Sequence, residues 1–215
     1  PIAANTNGIF ECLEKGADYI HWEEKRKEYT NQTGNIRRGV GMSLFSYKTG
    51  VWPISLEIAG ARMTLNQDGS VGLMLGATEI GQGADTVFSQ MTAEVLNMDI
   101  SDIHIQTVQD TDVTPFDTGA YASRQSFVTG TVVKDCANLL KEKIAKELLP
   151  EETRKLRLDH GWIMAGKDPA ISLGNLALES YYSLGNSSVI TAEVSEQVKK
   201  NTIATGCCFA EVEVD

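Results

Sequence analysis

Two glycine-containing loops, each placed where a helix is predicted to begin, are the segments of this sequence best suited to binding an anion. The first is Gly81-Gln82-Gly83, and the second is residues 119–124, which read Gly-Ala-Tyr-Ala-Ser-Arg. Free N–H groups and the positive end of the helix dipole favour phosphate-like anions at a helix N-terminus. Gly81 and Gly83 allow close approach to the backbone because no Cβ intervenes. The Gln82 amide offers a donor and an acceptor to the edge of a heterocycle.

Two carboxylates near the first loop bear on this prediction. Asp85 lies in the first turn of the predicted helix, where it would compete with a phosphate for the same N–H groups. Glu79 precedes the Gly-Gln-Gly turn and has the chemistry of a general base, but we expect a loop carboxylate that faces solvent. For either loop taken alone, a tight turn without a ligand is the alternative interpretation.

The histidines and cysteines do not form a pattern typical of a catalytic or metal site. The histidines lie far apart, without metal-ligand spacing, at positions 21, 104 and 160. The cysteines form no CxxC pair, at positions 12, 136, 207 and 208. We therefore predict no metal ligands, no catalytic residue, and reduced thiols in a cytoplasmic protein. His104 alternates with Ile103 and Ile105, which places it on the exposed side of a strand.

Charge and hydropathy exclude several classes of partner. The 215 residues carry 19 basic and 29 acidic side chains, a net charge of −10, which argues against nucleic-acid binding. The apolar runs are shorter than a membrane helix requires. Residues 51–130 hold ten acidic side chains but only two basic ones, Arg62 and Arg124. An anion bound there must therefore be held mainly by backbone N–H groups.

Hydrophobic periodicity predicts a βαβ unit between the two loops. Strong turn chemistry at residues 66–69 predicts a hairpin, and apolar spacing predicts a long helix after the second loop. The predicted elements are strands 61–65, 71–75 and 103–108, helices 85–98 and 123–149, and a connecting loop 109–122. The buried stripe predicted for the long helix consists of Val128, Val132, Cys136, Leu139, Leu140, Ile144 and Leu148.

The remaining segments predict an α/β (α+β) fold with mixed sheets and packed helices. They comprise a helix at 10–20, a solvated charged run at 23–28, strand and loop at 37–56, a short strand at 162–164, a helix at 173–182, a poorly patterned polar region at 183–202, and a final strand at 209–215. We predict three regions, namely an N-terminal helical and linker segment 1–36, a βαβ core 37–150, and a second α/β portion 151–215. Because the chain stops at Asp215 within a predicted strand, we expect a piece of a longer polypeptide.

Residues 76–83 and 119–124 resemble the paired pterin-contacting loops of the xanthine dehydrogenase and aldehyde oxidase family of molybdenum hydroxylases. The intervening segment Val95–Ile105 and the Asp110-Thr-Asp112 sequence also fit that family. Residues 38–42 and 47–53 are similar to bacterial xanthine dehydrogenase molybdenum subunits in particular. The two loops are specific when taken together, whereas either alone is not.

This resemblance implies molybdopterin-binding domains that hold a molybdenum–molybdopterin cofactor, with or without an appended nucleotide. Gly81, Gln82 and Gly83 would form one clamp on the pterin. Tyr121, Ala122 and Ser123 would form the other, with Arg124 as a phosphate partner. The implied reaction is hydroxylation of an N-heterocycle such as hypoxanthine or xanthine, with water as the oxygen source.

The resemblance also implies partners for this chain. These are the rest of the molybdenum subunit, FAD and 2Fe–2S clusters on partner domains or subunits, and a purine-like substrate. The family's general base, a glutamate in a Gly-Glu-Pro-like motif, is absent from this sequence, so the chain alone should be inactive. Two alternatives remain open: a self-standing nucleotide- or phosphate-binding α/β module, and a structural module with degenerate loops.

Overall fold

A computed structural model of the chain describes residues 7–106, 108–148, 156–184, 187–200 and 202–215. Its helices and strands, in chain order, are α1 Ile9–Ile20, α2 Trp22–Glu28, β1 Arg37–Thr49, β2 Ile58–Leu65, β3 Val71–Leu75, α3 Ala84–Leu96, β4 Ile103–Ile105, α4 Gln125–Leu148, β5 Leu156–Asp159, β6 Trp162–Ala165, β7 Asp168–Ser172, α5 Leu173–Tyr182, β8 Thr191–Gln197 and β9 Thr202–Val214. These mixed sheets and helices confirm the predicted α/β (α+β) class.

The chain divides into two compact units, one of Pro1–Thr49 with Lys200–Asp215 and one of Gly50–Lys199. The predicted boundaries after residues 36 and 150 do not coincide with this division. In the first unit, β1 pairs antiparallel with β9 along its whole length, from Arg37 opposite Val214 to Thr49 opposite Thr202. This pairing joins segments more than 150 residues apart in sequence, which local sequence patterns do not reveal.

In the Gly50–Lys199 unit, a four-stranded sheet has the order β4-β3-β2-β8. β2 is antiparallel to β3 and to β8, while β3 and β4 are parallel. The predicted hairpin is confirmed: the Asn66 amide donates to the Ser70 carbonyl at 2.8 Å, and Gly69 has a φ of +89° that favours glycine. The predicted βαβ unit is also confirmed, since α3 connects the parallel strands β3 and β4.

The core of this unit lies between the four-stranded sheet and the helices α3 and α4. The α4 residues of the predicted stripe are buried at Val128, Val132, Cys136, Leu140 and Ile144, and Leu139 is half-buried. The side chain of Leu148 lies outside the described residues. Burial raises the pKa of the Cys136 thiol to about 11, so this cysteine behaves as a small hydrophobic side chain.

The predictions were less accurate after residue 150. The predicted strand at 162–164 is confirmed as β6, but it lies in an antiparallel sheet β5-β6-β7 whose outer strands were not predicted. The polar region 183–202 contains β8, which is an edge strand of the four-stranded sheet. Only Ala192 is fully buried along β8, so the strand lacks the apolar pattern that predicts a buried one. No helix in the described part of the chain is long and apolar enough to cross a membrane.

Two glycines create the space in which the segment 115–117 crosses the sheet. A Cβ at Gly60 on β2 would lie 2.6 Å from the Pro115 side chain. A Cβ at Gly76, which follows β3, would overlap the Pro115 carbonyl oxygen and lie 2.8 Å from the Asp117 amide nitrogen. These close approaches fix the position of Asp117 above the sheet.

We predict that Gly76→Ala lowers the free energy of unfolding by at least about 2 kcal/mol, because the added methyl group meets backbone atoms that cannot move independently. Gly72→Ala is the matched control in β3, where the nearest atom to an added Cβ is 3.8 Å away. It should remain within about 0.5 kcal/mol of wild type. Urea denaturation measures both values, and equal losses in the two variants would contradict the predicted close packing at Gly76.

Candidate functional site

The two predicted loops line one cavity in the Gly50–Lys199 unit, with a volume of about 340 Å³. Its lining residues are Ile80, Gln82, Ala120, Tyr121, Ser123, Arg124, Gln125 and Ser126. The structure therefore brings four of the seven predicted site residues to one place. The other three, Gly81, Gly83 and Ala122, belong to the same loops but do not line the cavity.

Hydrogen bonds between two glutamine side chains join the loops. Gln82 Nε2 donates to Gln125 Oε1 and, at 3.0 Å, to the Thr78 carbonyl oxygen. Gln125 Nε2 donates to the same carbonyl at 3.1 Å, and the Ile80 amide donates to Gln82 Oε1 at 2.7 Å. The donor groups of Gln82 are thus both in use, which fixes the orientation of its amide. Gln125 was not among the predicted site residues, although its place at the start of the long helix was a usable signal.

The start of α4 offers backbone N–H groups to the cavity. Ala122 and Ser123 both have left-handed backbone conformations, with φ of +48° and +51°, and the Gly50 amide anchors the Ala122 carbonyl at 2.8 Å. Within the described part of the chain, the amides of Ser123, Gln125 and Ser126 have no hydrogen-bond acceptor. Such groups at the start of a 24-residue helix suit an anion.

The start of α3 differs, because the protein supplies its own anion there. Glu79 Oε1 accepts hydrogen bonds from the amides of Gly81 at 2.6 Å and Gly83 at 3.1 Å. Glu79 Oε2 accepts from the Asp85 amide at 3.2 Å. Glu79 is thus a partly exposed loop carboxylate, as expected, and it also caps the helix. Because these N–H groups already donate to Glu79, they are not available to a phosphate.

The conformations of the two loop glycines serve this capping turn. Gly81 and Gly83 have φ of +99° and +80°, which side chains with a Cβ rarely adopt. No atom lies within 4 Å of an added Cβ at either position. The backbone is therefore open to a neighbouring molecule, although two of its N–H groups point to Glu79.

The pKa of Glu79 reflects this environment. Desolvation raises the pKa of its carboxyl group, but hydrogen bonds from the amides of Asp85, Gly83, Gly81 and Ala84 together lower the pKa by more. The pKa of Glu79 is therefore below its ordinary value of 4.5. Asp85 shows the opposite shift, because desolvation and the neighbouring Glu79 charge raise its pKa. Of these two carboxylates, the one that α3 stabilises is Glu79.

The side chain of Arg124, expected to contact a phosphate, is instead completely buried. Its Nε donates to Glu57 Oε2 at 2.6 Å, and its Nη1 donates to Asp117 Oδ1 at 2.5 Å and to the Gly119 carbonyl at 2.9 Å. Nη2 donates to the Ile58 carbonyl at 2.9 Å. Burial acts to lower the pKa of Arg124, but Glu57 and Asp117 raise it above its ordinary value. The guanidinium therefore stays charged and is used within the protein.

We predict that Glu79→Gln lowers stability at neutral pH but not in acid. A group whose pKa is lowered by folding stabilises the folded protein above its unfolded pKa, and this contribution is lost as the pH falls through the folded value. The difference in thermal stability between wild type and Glu79→Gln should therefore shrink progressively as the pH falls below the ordinary glutamate pKa of about 4.3.

Glu94→Gln is the matched control for this experiment. Glu94 is an exposed carboxylate in the last turn of α3, where the helix dipole disfavours negative charge. Its removal should not lower stability at neutral pH. A pH-independent loss in Glu79→Gln would contradict the assigned capping role.

Comparison with known proteins identifies the family. Residues 15–215 match the molybdopterin cofactor-binding domain. The chain is 47% identical over 214 residues to the putative xanthine dehydrogenase molybdenum-binding subunit of Escherichia coli K12, a match that covers 97% of this chain and 28% of that protein. It is 30% identical over 218 residues to the probable hypoxanthine oxidase of the same strain, covering 100% of this chain and 22% of that protein.

The fold is also similar to that of a solved enzyme. Reconstituted CO dehydrogenase from Oligotropha carboxidovorans superposes with a TM-score of 0.75 at 21% identity, over 99% of this chain and 29% of that one. The chain spans less than a third of the length of each of these proteins. Because the family match covers nearly all of its residues, this chain belongs to the molybdopterin cofactor-binding domain family, within the xanthine dehydrogenase and aldehyde oxidase group that its loop sequences resemble.

Proposed function

We propose that the cavity between residues 78–83 and 119–126 holds the molybdenum–molybdopterin cofactor of a molybdenum hydroxylase. The observation that carries this proposal is the set of three N–H groups at the cavity wall, of Ser123, Gln125 and Ser126, for which the described residues supply no acceptor. They suit the phosphate arm of the cofactor. Gly81, Gln82 and Gly83 would contact the pterin on one side, and Tyr121, Ala122 and Ser123 on the other.

The charges around the cavity fit backbone recognition of this anion. Arg124 is engaged with Glu57 and Asp117, and Arg62 pairs with Glu193 at 2.9 Å on the sheet. These are the two basic side chains among residues 51–130. A single phosphate arm bound by helix-start amides therefore fits better than a polyphosphate, which usually recruits lysine or arginine.

The cofactor would supply the chemistry of oxidative hydroxylation, in which a heterocycle carbon receives oxygen from water. The relatives named as a xanthine dehydrogenase subunit and a hypoxanthine oxidase support a purine such as hypoxanthine or xanthine as the substrate. Electrons would leave through 2Fe–2S clusters and FAD on partner domains or subunits. We place this enzyme in the cytoplasm, as the cysteine pattern predicts.

Within this enzyme, the chain would bind and orient the cofactor and would not react by itself. The chain spans 28% of the length of its Escherichia coli relative, and its sequence contains no Gly-Glu-Pro motif to supply the general base. Its own residues would contact the pterin at the Gly81-Gln82-Gly83 loop, which the Gln82 hydrogen bonds hold in place, and would bind the anionic arm at the start of α4. The rest of the molybdenum subunit would complete the substrate pocket.

Metal and pterin analysis tests this function directly. Molybdenum is measured by plasma mass spectrometry and pterin by fluorescence after oxidation, on this chain and on the longest polypeptide that contains it. We expect both in the long form, and hydroxylase activity only there. Absence of both from the long form, produced in a host that makes the cofactor, would contradict the proposal. Micromolar binding of adenine nucleotides to this chain by calorimetry would instead favour a self-standing nucleotide-binding module.

We predict that Gln82→Ala lowers the molybdenum and pterin content of the long form by about tenfold, the effect typical of removing a group that orients a bound centre. The substitution removes the hydrogen bond that joins the Gln82 side chain to Gln125. Gln67→Ala is the matched control, because Gln67 is exposed in the hairpin turn away from the cavity lining. Unchanged cofactor content in Gln82→Ala would favour the structural module with degenerate loops.

A further inference from the structure

Arg124, Glu57 and Asp117 form a buried charge cluster beside the cavity, which we call the Arg124 cluster. The side chains of Arg124 and Asp117 are 0% exposed, and that of Glu57 is 1% exposed. An arginine without solvent contact must satisfy its donors internally, and this one makes four hydrogen bonds. The cluster thus connects the start of β2 at residues 57–58, residues 117–119, and the start of α4.

Both carboxylates of the cluster also hold backbone or helix groups. Glu57 Oε1 accepts a hydrogen bond from the Val51 amide. Asp117 Oδ1 accepts from the Gly119 amide at 2.8 Å, and Asp117 Oδ2 accepts from Thr129 Oγ1, one turn into α4, at 2.8 Å. Hydrogen bonds therefore hold the segment 117–124 at Asp117, at Gly119 and at Arg124.

This segment contains backbone conformations that need such support. Gly119, Ala122 and Ser123 all have positive φ values, and two of them are not glycine. Left-handed conformations at non-glycine residues persist only where the surrounding structure determines them. The same conformations direct the amides of Ser123, Gln125 and Ser126 away from other described acceptors. The geometry of the anion-binding amides thus depends on contacts made behind them.

We propose that the Arg124 cluster is a positioning device: it does not touch the cofactor but holds the 119–126 backbone in the conformation that binds the cofactor's anionic arm. This inference rests on the proposed function for the identity of the ligand. Arg124 acts through the backbone of its neighbours, as Asp117 does through Gly119 and Thr129. The guanidinium of Arg124 is already paired with Glu57 and Asp117. The bound anion would therefore be stabilised by the backbone amide dipoles alone.

Thr129→Val is the variant that tests this role with the least disturbance. It keeps the shape of a fully buried side chain but removes the hydrogen bond to Asp117 Oδ2. Thr129→Ser restores the hydroxyl and should restore wild-type behaviour. Arg124→Met is the stronger variant, and Arg62→Met is its control, because Arg62 on β2 makes an ion pair with Glu193 that is about half exposed.

Two measurements on the longest polypeptide separate positioning from general stability. The first is hydrogen–deuterium exchange of the 119–126 amides in cofactor-free protein, which requires no assumption about the ligand. The second is molybdenum and pterin content after expression in a cofactor-producing host. In Thr129→Val we expect about tenfold faster exchange of these amides and a comparable loss of cofactor. Exchange in β2 and β3 should stay at the wild-type rate.

The outcomes distinguish this inference from the proposed function. Unchanged exchange at 119–126 in Thr129→Val, or faster exchange with full cofactor content, would overturn the inference and leave the proposed function intact. If wild type itself lacks molybdenum and pterin, the proposed function fails, and the exchange rates alone decide whether the cluster orders the loop. If Arg124→Met does not fold, the Thr129→Val and Thr129→Ser pair still decides the matter.

Discussion

A guanidinium ion shielded from water must find acceptors inside the protein, and Arg124 finds them on two carboxylates and two carbonyl groups. Removing one partner of a buried ion pair costs about 3–5 kcal/mol, because the other charge is left without compensation. The segments that carry Glu57, Asp117 and Arg124 are therefore tied to one arrangement. Because α4 begins at the next residue, the position of its first amides follows from this one buried charge.

The starts of α3 and α4 both contain glycine and left-handed residues, but they differ in whether their N–H groups are available to an external anion. At α3, left-handed Gly81 and Gly83 wrap the chain around the Glu79 carboxylate, so that the helix is capped from within. At α4, the left-handed residues are Ala122 and Ser123, and the described side chains supply no acceptor for the following amides. A glycine-rich turn before a helix thus indicates an anion site, but the anion can be the protein's own.

How much the sequence could predict depended on how far apart the interacting residues lie. The buried stripe of α4 and the turn at residues 66–69 depend on neighbours in the chain, and both were predicted. Glu57 and Arg124 are separated by 67 residues, so composition showed a cation in an acidic segment but not its buried partners. The pairing of β1 with β9 and the polar edge strand β8 were missed for the same reason, since each depends on a distant partner.

The acidity of this unit constrains how it can hold an anion. Residues 51–130 carry eight more acidic than basic side chains, and Arg124 is already matched by two carboxylates. Long-range attraction therefore contributes little, and at physiological salt it would be screened beyond about 8 Å. Amide N–H groups act at hydrogen-bond distance and only in the right direction. A site of this kind would select its ligand by the placement of the acceptor oxygens, so the precision of the backbone at 119–126 would take the place of positive charge.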